Sequence, residues 1–413
     1  GYLLLPVGVG FDAPGVPPLD KSSIPSVAAM VLALLFVRPG EFRWPRSLTL
    51  NLLMLAHVLT PLATNITNSA PIVIGTLTIP GLSMMDGISS MARRVIELLP
   101  FVLGASMLGS ERGHRQILMA FAFAGVAYAV PVLLEIRLSP FLQTSVYGII
   151  NVEFFIQQVR DGGFRAMVVL GHGLLVSTFI AMAMIASIGM GRMRLRMLGA
   201  PAWAATLFLA VVLVLNKSLG ATLLAALVGG LLVLLTPRRF VTVALGVALL
   251  IVTYPMVRSS GLFPYESIVS AANAVSGDRA ASLDFRLRNE EILLNRAEER
   301  PLFGWGGYGR SRVIVVSERG QASDVSVTDG TWVILLGGYG WVGYITYFGL
   351  LTYPMWHAFR LRARGLPAAT VALVAMHLLN LLDLIPNSSL RPITWLTAGA
   401  LATLEAHEQC RKE

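Results

Sequence analysis

The sequence predicts an all-α, polytopic transmembrane protein of about 12 spans with a helical extracytoplasmic loop subdomain. Three observations carry that expectation. Hydrophobic residues make up 55% of the 413 residues and charged residues only 13%, against about 25% in a soluble domain; the mean hydropathy is +0.69. Apolar runs long enough for a span recur along the whole chain. Arginines gather in alternate connections between those runs.

The runs fall at 23–38, 47–64, 91–109, 114–136, 167–190, 201–216, 220–235, 239–257, 329–357, 366–385 and 389–405. The stretch 2–10, YLLLPVGVG, has the look of the end of a further span. Alternate connections hold Arg38, Arg43 and Arg46; Arg112 and Arg115; Arg192, Arg194 and Arg196; Arg238 and Arg239; Arg360, Arg362 and Arg364. Arg411 and Lys412 follow in the tail. The positive-inside rule makes that side cytoplasmic. The other side receives the long connections 65–90, 137–166 and 258–328. The last contains LDFRLRNEEILLNRAEERPLFGWG, too charged to span, with apolar positions 283, 285, 287 and 292–294 that argue for order. It reads as a loop subdomain of one or two helices. The expected divisions are 1–257 with about nine spans, the subdomain 258–328, and 329–413 with about three spans.

Composition also excludes. A single cysteine, Cys410, rules out a disulfide framework and a cysteine-based metal site. The formal charge of +9 comes without a nucleic-acid-binding motif, so nucleic acid is not an expected partner. His57, His114, His357 and His377 lie on different runs without metal-ligand spacing, and neither a metal nor a cofactor is expected.

Charges near the loop-bearing side are informative, because ions placed at a membrane are costly and tend to be functional. Arg160 and Arg165 precede the run at 167–190, Lys217 sits in the tight hairpin NKSLG, and Arg286 lies in the large loop. Arg93 and Arg94 add a pair at a helix start, with Glu97 one turn on as their partner. Guanidinium forks suit phosphate oxygens and lysine acts as a point charge, so the set reads as an anion site. Snorkelling to headgroups is the structural alternative for each cation. PLFGWGGYGR, 301–310, lacks the Lys-Ser/Thr ending of a phosphate loop. It reads as a tight turn presenting Trp305 and Tyr308 to the membrane interface or to a sugar. Asp329 opens a long apolar run, as a base facing the outer side or as a helix N-cap. His172, in GHG, is a second candidate base or a capping residue. His377, Asn380 and Asp383 share a helical face, lining a groove or pairing with a neighbouring span.

Three stretches resemble the O-antigen ligase and Wzy-type polysaccharide polymerase superfamily, membrane glycosyltransferases of the GT-C type. They are Arg165 followed by GHG (171–173), Arg286 fifteen positions before PLFGWG, and a polar residue followed after ten residues by glycine, Asp329 to Gly340. The NKS hairpin is similar to a Ser-Arg/Lys hairpin of many members. The resemblance covers the central and C-terminal parts of the chain. In the ligases the third motif begins with histidine, and here it is aspartate.

The resemblance implies a multi-pass protein of the bacterial inner membrane with its active site facing the periplasm. Its donor would be a glycan on undecaprenyl pyrophosphate, joined as repeat units into exopolysaccharide, capsule or O-antigen with inversion and without a metal. Arg165 and Arg286 would stabilise the pyrophosphate and Asp329 would take the acceptor's proton. Lys217, Arg160, Arg288, His172, Trp305, Tyr308 and Arg310 would contact pyrophosphate or glycan. Membrane lipid, a chain-length regulator and a flippase would be its companions. Transfer of glycan to lipid A core, as in a ligase, is the nearest alternative, and aspartate in place of histidine favours the polymerase. A transporter using the His377, Asn380 and Asp383 stripe is the alternative of another class.

Overall fold

A computed structural model describes residues 1–11, 17–38, 40–149, 158–160, 162–275, 277–318, 320–388 and 390–404. The chain is mostly helical, as the long apolar runs require, with 14 α-helices among these residues. The N-terminal half holds α1 (Ser23–Phe36), α2 (Leu48–Ile66), α3 (Met84–Met107), α4 (Glu111–Leu138) and the short α5 (Leu142–Tyr147). Then come α6 (Gly173–Arg192), α7 (Ala202–Leu215), α8 (Leu219–Leu234) and α9 (Pro237–Ser259). The large loop, expected to hold one or two helices, contributes α10 (Tyr265–Val275) and α11 (Gly277–Glu298). The chain finishes with α12 (Thr331–Leu361), α13 (Ala368–Asp383) and α14 (Arg391–Ala402).

Each of the eleven full apolar runs contains one of these helices. Five (α2, α4, α6, α9 and α12) are long and apolar enough to cross a membrane. α1, α7, α8 and α13 are apolar but shorter. A 14-residue helix such as α1 is about 21 Å long, short of a hydrocarbon core of about 30 Å. Length and composition therefore do not establish twelve spans. The run at 2–10 is not a helix end: residues 1–9 form turns, with the Leu4 and Leu5 amides donating to the Gly1 carbonyl. Pro6 and the positive φ of Gly8 (84°) prevent helix there.

Irregular connections close as two-stranded hairpins, unforeseen in the sequence. They are β1–β2 (Gly10–Phe11, Leu19–Asp20), β3–β4 (Ile72–Ile74, Leu77–Ile79), β5–β6 (Val159–Arg160, Gly163–Phe164), β7–β8 (Arg196–Met197, Ala200–Pro201) and β9–β10 (Ile314–Val316, Ala322–Asp324).

α6 lies at the centre of the bundle, packed by α4, α7, α8 and α13. The polar stripe of α13 is satisfied by its neighbours. His377 meets the Thr397 hydroxyl at 3.1 Å and the Leu351 carbonyl at 2.8 Å. Asn380 accepts from the Thr394 hydroxyl at 2.8 Å, and Asp383 accepts from Thr178 at 3.0 Å.

α12 is broken at Gly340, whose φ and ψ are 63° and −165°. An unbroken helix would bond the Trp341 amide to the Gly337 carbonyl and the Val342 amide to the Gly338 carbonyl. The loop segment 301–306 takes over both pairs. Trp305 and Gly306 amides donate to Gly337 and Gly338 at 2.8 and 2.9 Å, while the Trp341 and Val342 amides donate to Pro301 and Leu302 at 2.7 and 3.2 Å. The segment is held from α2 as well: Thr64 donates to the Phe303 carbonyl at 2.7 Å and Asn68 to that of Gly304 at 2.9 Å.

This geometry sets opposite outcomes for two glycines of α12. A Cβ at Gly340 would lie 2.4 Å from the Leu302 backbone and force a positive φ, so Gly340→Ala should cost at least about 2 kcal/mol. A Cβ at Gly338 meets nothing within 4 Å, so Gly338→Ala should be neutral or stabilising by up to about 1 kcal/mol. Thermal unfolding of the two detergent-purified variants checks this; equal melting temperatures would show that the break is not held as described.

Candidate functional site

The loop-bearing end of the bundle is assembled from helix termini. α12 begins there without a side-chain cap: its N-cap is Gly330, and the Thr331 amide reaches the Leu384 and Asn387 carbonyls at 3.0 and 3.1 Å. Asp329 is thus not the helix cap. Its carboxylate instead faces α11, with Oδ2 3.6 Å from Nε of Arg286. Both side chains are open to solvent, 43% and 36% exposed. Asn289, one turn beyond Arg286, accepts from the Val327 amide at 2.9 Å and so fixes the backbone leading to Asp329.

A second cationic group forms at the start of α6. Arg165 is buried, and its Nη2 donates to the Lys217 carbonyl at 3.1 Å. Lys217 adopts a positive φ of 53°, and its ammonium lies over Gly163. A Cβ on Gly173 would come within 2.2 Å of the Arg165 side chain, so only glycine lets the guanidinium lie against the first turn of α6. His172 is the N-cap of α6, its Nδ1 accepting from the Leu174 amide at 3.1 Å. The run expected to begin its helix at 167 passes instead through turns over 168–172, with Val168 at a φ of 47° and the Leu170 amide donating to the Met167 carbonyl at 3.0 Å, and side chains satisfy the backbone around them. Glu135 accepts from the amides of Phe141, Leu142, Met167 and Val168, at 2.6 to 3.1 Å. Asn216 accepts from the Ala166 amide at 2.8 Å and donates to Ser177 at 2.8 Å.

Short bonds lead from the second group to Asp383. Ser177 follows from Asn216, and the adjacent Thr178 donates to Asp383, which also accepts from Asn387 at 2.7 Å. Asp383 lies within electrostatic reach of Arg286. Next to Arg286 on α11, Glu290 accepts from the Tyr254 hydroxyl at 2.9 Å and lies 3.6 Å from Nε of Arg258. Burial pushes its carboxyl up, against the Tyr254 hydrogen bond and the Arg258 charge.

The remaining expected contacts lie elsewhere. Arg310 is 2% exposed and spends its guanidinium on the carbonyls of Trp305, Pro80 and Ala70, at 3.2, 2.7 and 3.0 Å. Trp305 is buried, its indole donating to the Arg296 carbonyl at 2.7 Å under the Arg296 guanidinium. Neither offers a polar group to a sugar or phosphate: Trp305 docks the loop on α12, and Arg310 ties it to the connection between α2 and α3. Tyr308 is exposed but donates to Asp86 at the start of α3, at 2.7 Å. Arg288 pairs with Asp284 on the solvent side of α11, at 2.8 Å. The Arg160 backbone belongs to β5; its side chain is outside the described residues. Arg94 pairs with Glu97 at 2.7 Å, as the spacing implied.

Glu135, Asn216, Asn289 and Glu290 were not singled out in the sequence. Glu135 alone carried a signal, as an acid near the end of an apolar run. Among the described residues no group of three or more His, Cys, Asp or Glu side chains is placed to hold a metal ion. No family model, curated protein or solved structure matches this chain.

The two kinds of arginine differ in what their removal costs. Arg310→Ala removes a buried guanidinium that donates to three carbonyls and should destabilise by about 2 kcal/mol or more. Arg288→Ala should leave the unfolding temperature unchanged, since its one ion pair is solvent-screened. Thermal unfolding in detergent checks both, and a stable Arg310→Ala variant would contradict the structural role.

Proposed function

We propose that the protein is a polysaccharide polymerase of the bacterial inner membrane. It would join undecaprenyl-pyrophosphate-linked repeat units at the periplasmic face, with the arginine-rich connections cytoplasmic and about twelve spans. The observation that carries this reading is the pair Arg286–Asp329, solvent-facing at the loop-bearing end. Arg286 makes no hydrogen bond among the described residues, whereas Arg310 and Arg312 are spent on the fold. Support comes also from Asp329, whose position at a helix start is not explained by capping.

In this reading the acceptor hydroxyl loses its proton to an Asp329 oxygen as it attacks the anomeric carbon. The bond from that carbon to the pyrophosphate oxygen breaks, and the configuration inverts. Charge that develops on the pyrophosphate is stabilised by Arg286, with Arg165 and Lys217 on the α6 side. His377, Asn380 and Asp383, on which the transport alternative rests, hydrogen-bond to neighbouring helices.

The test is polymer formation by purified protein given undecaprenyl-pyrophosphate repeat units. Asp329→Asn should lower the rate by about 10²- to 10⁴-fold at unchanged thermal stability. Arg286→Lys should rescue poorly, since the guanidinium fork is lost. Wild-type turnover by Asp329→Asn would remove Asp329 as the base.

A further inference from the structure

A cavity of about 530 Å³ lies between the end of α9 and helices α10 and α11, and none of the residues assigned above explains it. Its size is that of a small-molecule site. Its lining combines aromatic carbon with charges of both signs. The Arg258 side chain reaches it although only 6% exposed; its Nη2 donates to the Leu287 carbonyl at 2.9 Å, and its Nε makes no hydrogen bond. Phe263 lies against that guanidinium, 4.5 Å from ring centre to carbon, and meets Tyr254 edge-on. Tyr265, also lining, is fixed by its hydroxyl donating to Asp284. Glu266 and Glu291 line the cavity and make no hydrogen bond or ion pair among the described residues.

We propose that this cavity binds a saccharide, the acceptor or growing end of the glycan. Sugar hydroxyls donate to carboxylates and accept from a guanidinium, and the C–H face of a pyranose packs on aromatic rings. Two carboxylates disfavour a phosphate, and Arg258 beside them disfavours a simple cation. α11 links the cavity to the pair described above. Glu291 lies five residues after Arg286, about 7.5 Å along the helix and about 140° round it. The saccharide's role as acceptor rests on the glycosyltransfer reading; its binding does not require turnover.

The test titrates purified full-length protein in detergent with short neutral hexose, N-acetylhexosamine and hexuronate oligosaccharides, followed by calorimetry. Saturable binding of at least one class is expected. Ser267→Trp, which fills the cavity, and Glu291→Gln should each weaken it at least about tenfold. Asn273→Trp, roughly 240° further round α10, should bind as wild type. Absence of saturable binding by every class, or undiminished binding by both Ser267→Trp and Glu291→Gln, overturns the proposal. So does binding of spermidine in place of the saccharides, which would mark a cation site. Saccharide binding that responds to these variants in a protein that does not polymerise repeat units upholds the subsite and rejects the transfer reading.

Discussion

The exchange of backbone hydrogen bonds between residues 301–306 and the break in α12 is the constraint on which the loop-bearing end depends. Opening a helix away from water strands amide and carbonyl groups at a cost of several kcal/mol, unless a partner takes them. Here the partner is the segment immediately after α11, so the C-terminal end of α11 is tied to α12 at Gly337–Val342. α11 then has no freedom to slide along α12, and Arg286 is delivered opposite the residue that precedes the first turn of α12. Arg310 carries the same tie outward to the carbonyls of Pro80 and Ala70, which fixes the loop against the connection between α2 and α3.

The arginines of this end divide by what their guanidinium groups already hold. Arg310 has three carbonyl acceptors, and Arg312 has Asp324 and the Ser326 carbonyl. Arg94 is closed by Glu97 and the Tyr339 ring. A ligand could reach Arg310 and Arg94 only by displacing the fold, and Arg312, though open to solvent, already holds a 2.8 Å ion pair with Asp324. Arg286 has one ion pair, long at 3.6 Å and open to solvent. Donor capacity that the protein leaves unused at an exposed position is what an anion or a hydroxylated ligand can exploit.

Helix existence was legible in the sequence because hydropathy is a local property, and each full apolar run contains a helix. The start of α6 was not legible. It is delayed to Gly173 because Glu135, distant in sequence, supplies acceptors for the amides of Met167 and Val168. The motif at 301–306 could be located but not interpreted, because its glycines serve backbone bonds to a second glycine cluster more than thirty residues away. For the same reason Trp305 and Arg310 looked like ligand contacts: a sequence does not tell whether an arginine meets a carbonyl or a phosphate. Asp329 fitted a capping pattern. The cap fell to Gly330 because the chain after α13 already meets the Thr331 amide.

Two carboxylates at this end of the bundle, Asp383 and Asp329, differ in freedom. Asp383 is buried and held by Thr178 and Asn387, so its position is set by α6 and by the turn after α13. Asp329 is exposed and contributes nothing to the cap of its helix, so turning it away from Arg286 costs the fold little. In the proposed reaction an anionic group would take the place of Asp329 at the Arg286 guanidinium, and Asp329 would then face the acceptor. The fixed member of this arrangement is the one tied, through Thr178 and Ser177, to the segment that carries Arg165. The spacing of the two cationic groups is therefore set by the most enclosed helix of the bundle.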